Sequence, residues 1–263
     1  MKFSTIKFTQ QVGYATLTLN RPDSLNSFNQ AMHQEVRAAI KRTREDESIR
    51  CLLITGSGRG FCAGQDLSDR EVSDPSQAVD LGESVEKNYN PLIRAIMGLE
   101  KPVICAVNGV AAGAGASIAL ACDIVLAAKS ASFIQAFSKI GLVPDSGGTF
   151  NLPRALGLPR AKALALLGSK ISAEQAEKWG LIWQSVEDDK LQEEALLLAQ
   201  HFATQPTLGL GKIKLLLNES FNNPLHHQLE LEKGAMQMLG QTEDYQEGVS
   251  AFMEKRKPEF KGK

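Results

Sequence analysis

The sequence predicts an α/β protein, with strands alternating with helices over its first two-thirds and a helical region closing the chain. Three observations predict this. Short, mostly apolar runs at 51–55, 102–107 and 123–127 recur between segments of helical spacing, the pattern of strands buried on both faces. Beyond position 150 the apolar residues keep a helical period almost throughout. Stretches rich in small and polar residues follow the strand-like runs, where parallel sheets gather their sites.

Each element has its own signal. Residues 3–9 and 14–20 alternate and are rich in β-branched side chains, which predicts a hairpin ended by Arg21-Pro22. Asn29 is placed to cap a helix carrying Met32, Val36, Ala39, Ile40 and Thr43 on one face. After the strand at 51–55, residues 56–82 are rich in Gly, Ser, Asp and Gln and predict a long loop. A helix over 83–98 carries Tyr89, Ile93 and Ile96. The strand at 102–107 leads into the small-residue stretch Gly109–Ser117 and a short helix over 118–122. The strand at 123–127 is followed by an irregular stretch, 133–150, around Pro144-Asp145-Ser146-Gly147-Gly148. Helices fit at 160–167, 173–179, 189–203, 207–219, 225–239 and 242–255, with 182–186 the one good strand among them.

With 263 residues the chain can bury one large core, and it shows no internal repeat. A net charge of −1 weighs against a nucleic-acid-binding surface. No run approaches transmembrane length, and the first residues lack the apolar core of a leader, so no membrane association is expected. Cys51, Cys62, Cys105 and Cys122 lie in or beside apolar runs and form no CxxC pair, as expected of buried thiols in the cytoplasm. His33, His201, His226 and His227 lack ligand spacing, so surface positions and no metal are expected.

Two loops stand out for chemistry. Phe61-Cys62-Ala63-Gly64-Gln65-Asp66-Leu67 and Gly113-Ala114-Gly115 each follow a predicted buried strand, and one backbone N–H from each could grip a single oxygen. Taken singly, each loop is better explained as a tight turn that needs glycine. A dinucleotide fingerprint fails, because Ile118 stands where the third small residue belongs and the spacing in Gly56-Ser57-Gly58-Arg59-Gly60 is wrong. A phosphate-binding lysine motif is also missing. On the bare sequence, Asp145 reads as a cap for a helix starting near Gly147.

Several motifs, in order along the whole chain, resemble the crotonase (enoyl-CoA hydratase/isomerase) superfamily. They are Asn20-Arg21-Pro22, Leu25-Asn26, Gly60 to Leu67, Lys101 to Gly109 with its glycine stretch, Gly141 to Thr149, and Ala251 to Lys257. The resemblance implies repeated ββα units, with residues 1–200 as the core carrying the site. It also implies a helical region over 201–263 that drives trimers or dimers of trimers. The implied ligand is an acyl-CoA thioester, with no separate cofactor because coenzyme A arrives as part of the substrate. The implied oxyanion-hole amides are those of Gln65 and Ala114. Ala63, Gln65, Asp66, Leu67, Ser68 and Gly113 would line the acyl-CoA loop, and Phe252 and Lys255 would reach the adenine and phosphate end.

The family's hydratases use two glutamates, and at those positions this chain has Ser117 and Phe137. Asp145 stands where the family's isomerases place a catalytic aspartate. One carboxylate can move a double bond by taking a proton from one carbon and returning it two carbons away. Residues 61–67, Asn88–Leu92 and Ala136–Asp145 further resemble the branch that rearranges ring-1,2-epoxyphenylacetyl-CoA to an oxepin-CoA. The alternatives are a hydratase, a thioesterase- or dehalogenase-type relative with Asp145 as nucleophile, and a crotonase-like protein that binds RNA or a partner. Phe137 and Tyr89 suit either an aromatic acyl pocket or the core, and Arg21 either a coenzyme A phosphate or a structural ion pair. The acidic run 66–71 and the Lys255-Arg256-Lys257 cluster fit solvated surface, apart from a role for Asp66 in ordering its loop.

Overall fold

The computed structural model describes residues 3–70 and 80–263. β1 (Ile6–Gln11) and β2 (Gly13–Leu19) form the expected antiparallel hairpin, turned at Gly13 with φ +82°. Asn29 caps α1 (Gln30–Glu45), its side chain accepting from the Met32 amide at 2.9 Å. The predicted face of α1 is buried, and His33 is buried with it, so His33 is a core residue rather than the surface one expected. His201, His226 and His227 are exposed as expected.

The chain then repeats one unit. β3 (Ile49–Gly56) and β4 (Gly60–Cys62) precede α2 (Leu81–Ser84), a π-helical turn (Val85–Tyr89) and α3 (Asn90–Met97). β5 (Val103–Val107) and β6 (Val110–Ala112) precede α4 (Ala114–Leu120). β7 (Ile124–Ala128) and β8 (Ser132–Ile134) precede a 3-10 turn (Ala136–Ile140) and α5 (Gly148–Leu167). β9 (Lys170–Ser172), α6 (Ala173–Lys178) and β10 (Gln184–Val186) follow. The first strand of each pair joins a six-stranded sheet in the order β1-β2-β3-β5-β7-β10, the second a four-stranded sheet in the order β4-β6-β8-β9. These are the ββα units that the motifs implied. α7 (Leu191–Phe202) packs across the larger sheet, and α8 (Thr207–Ser220), α9 (Leu225–Leu239) and α10 (Glu243–Glu254) close the chain.

The structure corrects several boundaries. Residues 56–82 are not one loop, since they hold β4, a 3-10 turn at Leu67–Arg70 and the start of α2; residues 71–79 lie outside the described residues. Three residues are too few to show a period, and β4 exists because β6 pairs with it. The helix expected at 118–122 begins at Ala114, inside the small-residue stretch. The helix expected over 83–98 is interrupted by the π-helical turn. The irregular stretch 133–150 contains β8 and a 3-10 turn, β9 is a second strand in the helical third, and α5 starts at Gly148 with a break at Gly157.

An ion pair made by a buried lysine ties the C-terminal helices to the core. Lys214 on α8 lies 2.9 Å from Asp123, which begins the turn into β7, and also donates to the Ile96 carbonyl at 2.8 Å. Burial holds the Asp123 carboxyl above its ordinary pKa, against the pull of Lys214.

Candidate active site

The two loops singled out in the sequence are neighbours, though by a different route from the one expected. They follow β4 and β6, adjacent parallel strands of the smaller sheet, not β3 and β5 of the larger one. Their backbones nearly touch. Gly64 has φ +91°, and a Cβ there would lie 3.0 Å from the Ala112 carbonyl oxygen and 3.3 Å from the Ala114 nitrogen.

On its other edge the first loop is bonded to residues 25–28. The Ala63 amide donates to the Leu25 carbonyl, the Phe28 amide to the Gly64 carbonyl at 2.7 Å, and the Asp66 amide to the Phe28 carbonyl at 2.9 Å. Gln65 therefore sits opposite Phe28 in a parallel bridge. In such a bridge its amide points the other way, toward the edge occupied by β6 and the start of α4. Ala114 is the first residue of α4, behind the N-cap Gly113, and no side chain caps that end. Its N–H belongs to the helix's unbonded first turn, where the dipole favours negative charge.

Asp66 anchors the loop. Its carboxylate accepts from the Ser68 hydroxyl at 2.7 Å and from Arg21 at 2.8 Å, and these bonds hold its pKa below the ordinary aspartate value. Arg21 is thus a partner of the loop, donating also to the Ser27 carbonyl at 2.7 Å, and Asp66 is not part of a purely solvated face. Leu67 and Ser68 are exposed, while Ala63 and Gly113 are half-buried along the seam. Burial pushes the Cys62 thiol up to about 12, which removes it as a nucleophile.

The two positions that the resemblance assigns to glutamates, Ser117 and Phe137, are both buried. Ser117 is fully buried, its hydroxyl 3.4 Å from the Gly113 carbonyl one turn back. Phe137 is buried against the same N-cap, and a Cβ at Gly113 would stand 3.8 Å from its ring. Asp145 is half-buried at the end of the 141–145 segment and accepts from the Ser146 hydroxyl at 2.9 Å. The N-cap of α5 is Gly147, without a side-chain cap bond, so Asp145 does not serve as the helix cap that the bare sequence suggested. Ser146 and Gly147 both have positive φ, 53° and 76°, which turns the chain sharply after Asp145. The turn lands Gly148 on α4, where a Cβ would meet the Ser117 Oγ at 2.9 Å. The aspartate is thereby fixed near the helix whose first amide is Ala114.

Phe252 and Lys255 lie elsewhere. Phe252 is 82% exposed and lines an apolar groove with Leu208, Tyr245, Val249 and Phe260, to which residues 63–68 contribute nothing. Lys255 is the left-handed C-cap of α10. One contact escaped the sequence reading: the Tyr89 hydroxyl donates to Gln65 Oε1 at 3.0 Å. The segment 88–92 stood out only by resemblance, and nothing in its spacing pairs it with position 65. Among the described residues no cluster of His, Cys, Asp and Glu could hold a metal ion.

Comparison with known proteins agrees with this architecture. A family model described as enoyl-CoA hydratase/isomerase matches residues 9–263. The 1,2-epoxyphenylacetyl-CoA isomerase of Escherichia coli K12 is 59% identical over 251 residues, covering 95% of this chain and 96% of that protein. The trans-2-decenoyl-[acyl-carrier-protein] isomerase of Streptococcus mutans is 35% identical, covering 100% of each. The crystal structure of an enoyl-CoA hydratase from Bacillus anthracis superposes with a TM-score of 0.91 at 32% identity, covering 99% of this chain and 100% of that one. With a matching family model over nearly its whole length, the same ββα repeat and relatives aligned end to end, the chain belongs to the enoyl-CoA hydratase/isomerase family.

Proposed function

We propose that this chain is an acyl-CoA isomerase that moves a proton from the α- to the γ-carbon of a thioester, and that ring-1,2-epoxyphenylacetyl-CoA is its substrate. The observation that carries this reading is the pairing of one carboxylate, Asp145, with a site whose two customary glutamate positions hold a sealed Ser117 and Phe137. A single base suffices for a shuttle, whereas adding water needs groups to activate it. The 59% identity to an enzyme named for this reaction supports the choice of substrate.

A thioester carbonyl next to the amides of Gln65 and Ala114 gains negative charge as Asp145 removes the α-proton. Donors already in place stabilise that charge by roughly 3 kcal/mol each, as judged from removing one oxyanion donor. An arene epoxide interconverts with its ring-expanded oxepin, in which the side chain is a β,γ-unsaturated thioester. Returning the proton to the γ-carbon, now in the ring, gives the conjugated oxepin-CoA with no atom gained or lost. The same α-to-γ transfer turns a linear 3-enoyl-CoA into the 2-enoyl-CoA, so one device serves both substrates. Phe137, packed over Gly113, keeps the neighbourhood of the forming enolate apolar.

We further infer a homotrimer or dimer of trimers working in the cytoplasm. α9 buries none of its residues, and Leu225, Leu229 and Met236 on it are exposed, which suits a helix covered by another copy. The cysteines are free thiols and buried. Residues 1–200 serve as the catalytic core and 201–263 as the assembly region, with Phe252 and Lys255 available to the far end of coenzyme A. The test offers ring-1,2-epoxyphenylacetyl-CoA and a 3-enoyl-CoA side by side and reads products by mass spectrometry and NMR. Isomers of unchanged mass are expected, and a hydrated product 18 Da heavier would overturn the reading.

A further inference from the structure

We infer that Tyr89 is a positioning residue for the oxyanion hole, acting through the side chain of Gln65. This rests on the reading of the Gln65 amide as an oxyanion donor. The Gln65 side chain folds back along its own loop, where Nε2 donates to the Phe28 and Asp66 carbonyls, each at 3.1 Å. Those two bonds use both protons of the amide nitrogen and fix which end is oxygen. Oε1 then needs a donor, and the Tyr89 hydroxyl, 3.0 Å away, supplies one. The side chain is thus held at both ends on the Phe28 side of the loop. Its own backbone N–H is left facing α4.

Tyr89 is itself held firmly. It is 1% exposed, with its ring edge-on to His33 at 4.5 Å between centroids and 6.3 Å from Phe28. It is the last residue of the π-helical turn Val85–Tyr89, a distortion that recurs at functional sites. Arg37 of α1 donates to the Lys87 carbonyl of that turn at 2.8 Å. A residue of α1, the π-helical turn and the aromatic cluster therefore converge on one hydroxyl, whose bond restrains the residue carrying the donor.

The test is Tyr89→Phe, which keeps the ring and removes only the hydroxyl. The readouts are isomerisation kinetics and the infrared stretch of the carbonyl in bound phenylacetyl-CoA carrying carbon-13 at the thioester carbon. Wild type should lower that stretch on binding, and Tyr89→Phe should return it part of the way to its free value. kcat should fall roughly tenfold with KM little changed, a fraction of the roughly hundredfold or greater loss when an oxyanion donor is removed outright. In a Gln65→Ala background Tyr89→Phe should cost nothing more, because the atom it acts on is gone. Should Tyr89→Phe not fold, Gln65→Ala reads the same restraint from its other end and should show the same partial return of the stretch. An unchanged stretch and kcat in Tyr89→Phe, or an equal loss in the Gln65→Ala background, would overturn the assignment. No shift of the stretch in wild type would instead overturn the oxyanion reading beneath it.

Discussion

Gly115 and Cys62 are packed so closely that a Cβ on Gly115 would stand 2.3 Å from the Cys62 carbonyl oxygen. That contact joins the first turn of α4 to the end of β4, and on the proposed reading it governs how closely the Gln65 and Ala114 amides approach. At an open helical position, Gly→Ala stabilises by about 1 kcal/mol. Here Gly115→Ala must push the two backbones apart, so it should destabilise by about 1–3 kcal/mol, the usual cost of overpacking. It should also lower kcat/KM by roughly a hundredfold, the scale of losing an oxyanion donor. Thermal melting and steady-state kinetics check both, and a more stable, fully active variant would show that the contact does not set the site.

Asp145→Asn should melt within a degree or two of wild type, because no helix cap depends on that side chain. Turnover should fall by about 10³-fold, within the span attributed to a positioned general base. Circular dichroism and an isomerisation assay separate these effects, and wild-type turnover would remove Asp145 from the mechanism.

The acid limb of stability should depend on Glu35. Burial alone would raise its pKa, but bonds from the side chains and amides of Thr5 and Ser4 outweigh it and bring the carboxyl down to about 2. A carboxyl lowered in the folded state adds stability above its unfolded pKa of about 4.3 and loses it as pH falls toward the folded value. Urea unfolding from neutral pH down through this window should show a steeper loss in wild type than in Glu35→Gln. Identical acid limbs would contradict the assignment.

Lys214→Met should destabilise by about 1–3 kcal/mol, since it removes the buried cation from a partly exposed Asp123 carboxylate and leaves the Ile96 carbonyl without its donor. Adding Asp123→Asn should recover part of that loss, and denaturant melts of both variants measure it. Additive losses in the double variant would mean that the pair is not coupled.

The alternation of strand and helix was legible because buried strands such as Val103–Val107 are continuous apolar runs, and Asn29 marks its helix start unaided. The short strands were not legible. Gly60–Cys62 and Lys170–Ser172 are three residues each, and only pairing with β6 and β8 makes them strands. The early start of α4 was hidden for a related reason: Gly113 and Gly115 are poor helix formers that read as loop, and Gly115 is there because a Cβ would clash with Cys62 of β4. Gln65, Ala114 and Asp145, the residues of the proposed site, were legible only as motif positions. The burial of His33 and the bond from Tyr89 to Gln65 were not, since both arise where α1 and a π-helical turn meet a loop distant in sequence. A π-helical turn has no period of its own to read, so 83–98 passed for one helix.

The central claim is that a single carboxylate carries a proton from the α- to the γ-carbon. A 3-enoyl-CoA deuterated at its α-carbon, turned over in ordinary water and analysed by NMR, tests it most directly. Wild type should deliver deuterium to the γ-carbon of a 2-enoyl-CoA product above the solvent level, and Asp145→Asn should deliver none. A product with no γ-deuterium and a hydroxyl from water would contradict the claim.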